Sequence, residues 1–168
     1  MPERETIERA HEDAREGKSP STQAGEFVRE QMHHVREGRH GARSTKQAIA
    51  IGLSKARRAG VKLAAPREGT ASSKVRKQAS RDYRKGQSPS SRKPSASRSR
   101  ATSAALKGEG RVAASRKSLA RQAHPAARRR GSVARHRSAM KAGPYEKEQG
   151  APPGGTQSRG SRSSRAAG

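Results

Sequence analysis

The chain has 168 residues, of which 28% are hydrophobic and 2% aromatic, with no Cys, no Trp and a net charge of +25. So little apolar matter excludes one core spanning the full length, the lack of Cys excludes a disulfide framework or a thiolate metal site, and the charge opposes compaction of the whole. The expected fold is mainly α: a small N-terminal module of about three short helices over 1–65, then a largely disordered basic arm with transient helices. The arm divides into a basic linker over 66–100 with a helix at 72–85, an Ala/Arg-rich, conditionally helical segment over 101–142, and a disordered tail over 143–168.

In chain order, residues 3–16 carry Glu3 and Glu5 in a first turn and Ile7, Ala10 and Ala14 on one face before Gly17, which predicts a helix with a weak apolar stripe. Ser19-Pro20-Ser21-Thr22 marks a second start, because Pro is tolerated in a first helical turn and the hydroxyls can cap. Phe27, Val28, Met32 and Val35 follow at helical spacing, and Gly38 stops the helix. A third unit runs to Gly60. Ser44 and Gln47 fit a capping box, Ile49, Leu53 and Ala56 form a stripe widened by Ala48 and Ile51, and Gly60 with Val61 fits a Schellman end. The sequence R-E-G at 15–17 leading to S-T-Q-A is echoed by R-E-G at 36–38 leading to S-T-K-Q-A, through duplication or shared cap chemistry. Ile7, Phe27, Val28, Met32, Val35, Ile49, Ile51, Leu53, Val61 and Leu63 are the candidate mini-core. Beyond Pro66, Val75, Ala79 and Tyr83 predict a helix ending at Gly86, residues 87–99 read as linker, and Ala101–Lys107 and Arg111–Ala123 are Ala-rich helix candidates.

Charge is unevenly placed. Residues 1–37 hold six basic and nine acidic residues, a net of −3, whereas residues 38–168 hold 33 basic and five acidic, a net of +28. A basic arm of this size selects polyanionic partners. Between Arg39 and Lys62 lie seven basic residues and no acid, next to a glycine-bearing loop and a helix start whose free N–H groups suit phosphate. The candidate nucleic-acid contacts are Arg39, Arg43, Ser44, Thr45, Lys46, Lys55, Arg57 and Arg58, with Arg128, Arg129 and Arg130 in the arm. A solvated basic helix would share this composition. Arg outnumbers Lys 27 to 12, which favours forked contact with phosphate oxygens.

Other chemistries fit less well. Ser44-Thr45 precedes Lys46 with no strand before it, the wrong order for a Walker A loop. A helix-turn-helix with Lys46, Gln47 and Lys55 reading bases would need a shorter connection than Gly38 to Ser44. His33 and His34 lie on different faces of a helix, and with His40 they make no metal set. No catalytic constellation is identifiable, so no enzyme, cofactor or small-molecule substrate is expected. Ser97-Arg98-Ser99-Arg100 and Ser161-Arg162-Ser163 resemble phosphorylatable Arg/Ser segments, as compositional bias would also produce. No stretch suits a signal peptide, a membrane span or an interfacial helix. Phe27, Tyr83 and Tyr145 offer few platforms for stacking single-stranded bases.

The blocks G-E-F-V-R-E at 25–30, H-V-R-E-G at 34–38 and S-T-K-Q-A-I-A-I-G-L-S-K-A-R-R-A-G at 44–60 resemble a family of small, basic bacterial proteins of uncharacterised function built around the last motif. The resemblance covers residues 20–63. Residues 105–123, A-L-K-G-E-G-R-V-A-A-S-R-K-S-L-A-R-Q-A, are similar to the Ala-rich C-terminal regions of some members. It implies a bacterial cytoplasm and supplies no catalytic residues; the arm is similar to linker-histone tails in charge alone. The expected function is sequence-independent, nucleoid-associated DNA binding through phosphates, with an RNA- or ribosome-associated role or a hydrophilic stress protectant as alternatives.

Overall fold

Hydroxyl caps start the second and third helices, and a glycine follows the end of each of the first three. The Ser19 hydroxyl accepts from Thr22 N at 3.4 Å to start α2 (Pro20–Glu37), and the Ser44 hydroxyl accepts from Gln47 N at 3.2 Å to start α3 (Thr45–Arg58). Gln47 Oε1 reaches back to accept from Arg43 N at 2.8 Å, one residue before the donor of a standard capping box. α3 ends at Gly60, φ 98°, where Gly60 N–H bonds Arg57 O and Val61 N–H bonds Ala56 O, both at 3.1 Å: the two bonds of a Schellman motif. α1 (Arg4–Arg15) and α2 end on the same pair of bonds, with Lys18 N to Asp13 O and Arg39 N to His34 O as the longer-range member. The sequence echo thus coincides with repeated cap chemistry.

The computed structural model describes residues 2–88 and 95–142, which hold three further helices, α4 (Ser73–Gln87), α5 (Ala96–Lys107) and α6 (Arg116–Ala142), a 3-10 turn at Val112–Ala114 and no strand. The tail expected over 143–168 lies outside the described residues. The chain divides into a unit of Met1–Arg129 and a unit of Arg130–Gly168; of the second, the described part is the end of α6, where the backbone leaves helical geometry at Gly131 (φ 72°, ψ 167°).

In the first unit α2 and α3 form the central pair, approaching so closely that a Cβ on Gly52 would lie 2.8 Å from Val28 Cα. Two small cores surround them. One joins Phe27, Ala24, Ala56 and Val61 to Ala10 of α1, with Ile7, Leu53 and Leu63 half-buried against it. The other joins Met32, Val35, Ala42 and Ala48 to Ala113 and Ala114 of the 3-10 turn, with Val28, Ile49 and Leu119 against it. Nine of the ten expected core side chains thus belong to a core; Ile51 is half-buried and belongs to neither.

The second core changes the picture of the arm. Residues 106–114 return to the 38–45 loop as a strap: Gly41 N bonds Leu106 O at 2.8 Å, Ala42 N bonds Gly110 O at 3.0 Å, the Thr45 hydroxyl donates to Ala113 O at 2.6 Å, and Arg36 Nε donates to Ala114 O at 3.1 Å. α4 docks on α3 through buried Ala79 and Asp82. Large apolar side chains are not what holds these segments. Backbone pairing and small residues allow close approach, so apolar composition understates their order.

Four helix limits differ from expectation. α5 begins at Ala96, five residues before the expected Ala101 and inside the stretch read as linker over 87–99. Gly86 does not end α4; it lies inside it, where a Cβ would meet Arg57 O at 1.8 Å, so close approach explains this glycine. The helix expected over Arg111–Ala123 begins only at Arg116, because Ser115 is extended (φ −67°, ψ 151°) and its hydroxyl accepts from Ser118 N at 3.2 Å. Val112 is accordingly exposed while Ala113 and Ala114 are buried. α6 also continues through Pro125, beyond the expected end at Ala123.

Candidate nucleic-acid interface

Seven of the nine acidic residues in the first 37 pair with the protein's own cations rather than forming a separate acidic head; Glu8 and Glu12 make no such pair among the described residues. Glu30, buried on α2, accepts from Lys55 Nζ at 2.8 Å and from Glu3 N at 3.1 Å. Burial alone would raise its carboxyl, but Lys55 and the Glu3 N–H together hold it below the usual carboxylate range. Glu26 pairs with Arg9 at 2.8 Å, Glu3 and Glu37 both reach Arg39, at 2.5 and 2.9 Å, and Asp13 holds Lys18 at 2.8 Å.

This pairing sorts the candidate contacts. Arg57 is not available to phosphate: it is buried, and it donates from Nε to Leu63 O at 3.1 Å and from Nη2 to Ala64 O at 3.2 Å, closing the turn after α3. Desolvation lowers its pKa. Lys55 is tied to Glu30. Arg58 is tied to Asp82 at 2.8 Å with its side chain half exposed, and Arg39 is held between Glu3 and Glu37. Thr45 is buried, its hydroxyl committed to Ala113 O. Of the basic candidates in this stretch, then, Arg57 is buried, Lys55 is half-buried and paired, and Arg39 and Arg58 are paired at the surface.

Arg43, Ser44 and Lys46 are exposed, and across from them stand Arg129 and three residues that the sequence pattern does not single out. Together with Thr45 they form one wall of a cleft of about 670 Å³; Ser118, Arg121, Gln122 and Arg129 of α6 form the other, and Glu109, Gly110 and Val112 form an end. Arg43, Lys46, Arg121 and Arg129 line the cleft with a single acid, Glu109, beside the first turn of α3. Such a cleft suits a phosphate group: Arg forks bind its oxygens, Ser hydroxyls donate to them, and the helix dipole favours the charge. Of the three candidate arginines in the arm, Arg129 lines the cleft and Arg128 is exposed on α6, while Arg130 begins the other unit. The signal for Ser118 and Arg121 is one of position alone, one and two turns after a Ser cap, and it acquires meaning once the strap brings α6 to α3.

The base-reading trio of a helix-turn-helix is mostly engaged elsewhere, since Gln47 caps and Lys55 pairs with Glu30, leaving Lys46 exposed. The histidines divide likewise: His33 faces Glu37 at 2.8 Å, His34 Nε2 lies 3.1 Å from Glu3 Oε1, and His40 bonds the buried Gln31 side chain at 2.8 Å. Among the described residues no group of three or more His, Cys, Asp or Glu is placed to hold a metal ion, and no helix is long and apolar enough to cross a membrane.

Residues 19–68 match the model of a family of unknown function (DUF6496). That span runs from the cap of α2 to the turn after α3 and includes the Ser44 wall of the cleft, but not its α6 wall. No curated protein and no solved structure gives a significant match.

Proposed function

We propose that this is a non-enzymatic protein of the bacterial nucleoid that binds duplex DNA through its phosphates with little regard to sequence. The observation that carries the reading is the cleft at the start of α3, which Arg43, Lys46, Arg121 and Arg129 line with a single acid, Glu109, while most acids of α1 and α2 are engaged in ion pairs within the chain. Cations left facing one another repel, and a phosphodiester backbone relieves that repulsion by taking the place of condensed counterions. Duplex is favoured over single strands because Phe27 is buried and Tyr83 half-buried, which leaves the described residues poor in stacking surface.

The test replaces Arg43, Arg121 and Arg129 by Gln and measures binding to two duplexes of unrelated sequence. The expected result is a similar loss on both, about tenfold or more at moderate salt. A loss confined to one duplex would instead mean base reading, and preferential binding of duplex RNA by the wild type would transfer the function to RNA.

A further inference from the structure

We infer that the outward face of α4 is a second, separate surface for the backbone of duplex DNA, an inference that rests on the reading just given. α4 has two faces of different character. Ala79, Asp82 and Gly86 fall at i, i+3 and i+7 and lie against α3. Asp82, the only acid on the helix, is buried there; it accepts from Ser54 Oγ and Arg58 Nε at 2.8 Å and from Gln78 Nε2 at 3.0 Å. With the two bonds to α3 and the Gly86 contact in place, the helix has one rotational setting.

That setting turns Lys74, Lys77, Arg81, Arg84 and Lys85 to solvent, all of them exposed. They are spaced i, i+3 or i, i+4, so like charges neighbour one another along the whole stripe, and no acid on α4 offsets them. Lys74 and Lys77 also stand near the positive end of the helix dipole, where acids are the stabilising choice. Each feature destabilises an isolated helix. A helix exposed only to water gains by interleaving acids with its bases, whereas one that meets a polyanion gains from the arrangement seen here.

Lys77, Arg81 and Arg84 also line a groove of about 580 Å³ together with Ser73, Ser80, Ala65 and Pro66. Arg76, at its edge, is held to Glu68 at 2.9 Å. An open cationic groove that also holds Ser73 and Ser80, continuous with the basic stripe of α4, suits a sugar–phosphate backbone, and none of its residues belongs to the α3–α6 cleft.

The test compares full-length wild type with Lys77→Gln/Arg81→Gln/Arg84→Gln and with a charge-matched control, Arg159→Gln/Arg162→Gln/Arg165→Gln, on duplex DNA across a salt series. Gln has nearly the helix propensity of Lys and Arg, so circular dichroism should be unchanged. The expected result is a salt slope smaller by about 2 to 3 in the α4 variant, roughly 0.9 for each phosphate no longer neutralised, with a clearly smaller change in the control. As a readout independent of folding, duplex DNA should protect Lys74, Lys77 and Lys85 of the wild type from amine acetylation more than Lys18. Equal losses in both variants, or no differential protection, would overturn the α4 surface while leaving the cleft standing. A wild type that ignores DNA at low salt would overturn the function itself.

Discussion

Asp82 and Glu30 are single carboxylates that each hold one element in place. Burial pushes both upward, but hydrogen bonds and a neighbouring cation more than compensate, and both stay below the ordinary carboxylate range. A lowered folded-state pKa means that the stabilisation is complete above the unfolded value near 4 and is lost as pH falls through the lowered one. Hydrogen exchange in α4 should therefore accelerate below about pH 4, and Asp82→Ala should cost about 2 kcal/mol at neutral pH and abolish that acid dependence in α4. An unaltered exchange rate in the variant would show that Asp82 does not hold the helix. Gly52 acts through volume alone. A Cβ there would meet Val28 Cα, so Gly52→Ala should lower stability by about 1 to 3 kcal/mol in thermal or denaturant unfolding, although Ala is the better helix former.

At the scale of elements, the strap is what makes the α3 cleft a two-sided site. Gly41 sits where a Cβ would lie 1.8 Å from Glu109 O, so Gly41→Ala should displace residues 106–114, expose the loop over 38–44 to proteolysis and weaken DNA binding, with α1 to α3 still folded. Ser44→Ala should cost about 1 kcal/mol by removing the cap of α3. These two positions also show how far the sequence could be read. The cap at Ser44, the Schellman end at Gly60 and the stripe at Phe27, Val28, Met32 and Val35 are local devices written in a few adjacent residues, and the helices follow from them. Gly41, Gly52 and Gly86 answer to partners 24 to 68 positions away, which no local pattern encodes. For the same reason Arg57 reads as a free cation in the sequence: burial by Leu63 and Ala64 depends on a turn closing, not on helical spacing. Ser118 and Arg121 carry no local mark of a site because their neighbours across the cleft are far off in sequence.

For the molecule as a whole, the net charge of +25 is not spread evenly over folded structure. α1 and α2 supply acids that fix Arg9, Lys18, Arg39 and Lys55 internally, while the cleft and the outer face of α4 keep their cations outward. Folding thus converts part of a diffuse excess of charge into two cationic surfaces of fixed geometry. The most direct measurement is the affinity of the full-length protein for an arbitrary duplex as a function of salt. Tight binding at low salt, with log K falling linearly in log salt at a slope steeper than about −5 and nearly the same for unrelated sequences, is the expected result, because several phosphates are neutralised at once. A shallow slope, near −1, or no binding at low salt would contradict it.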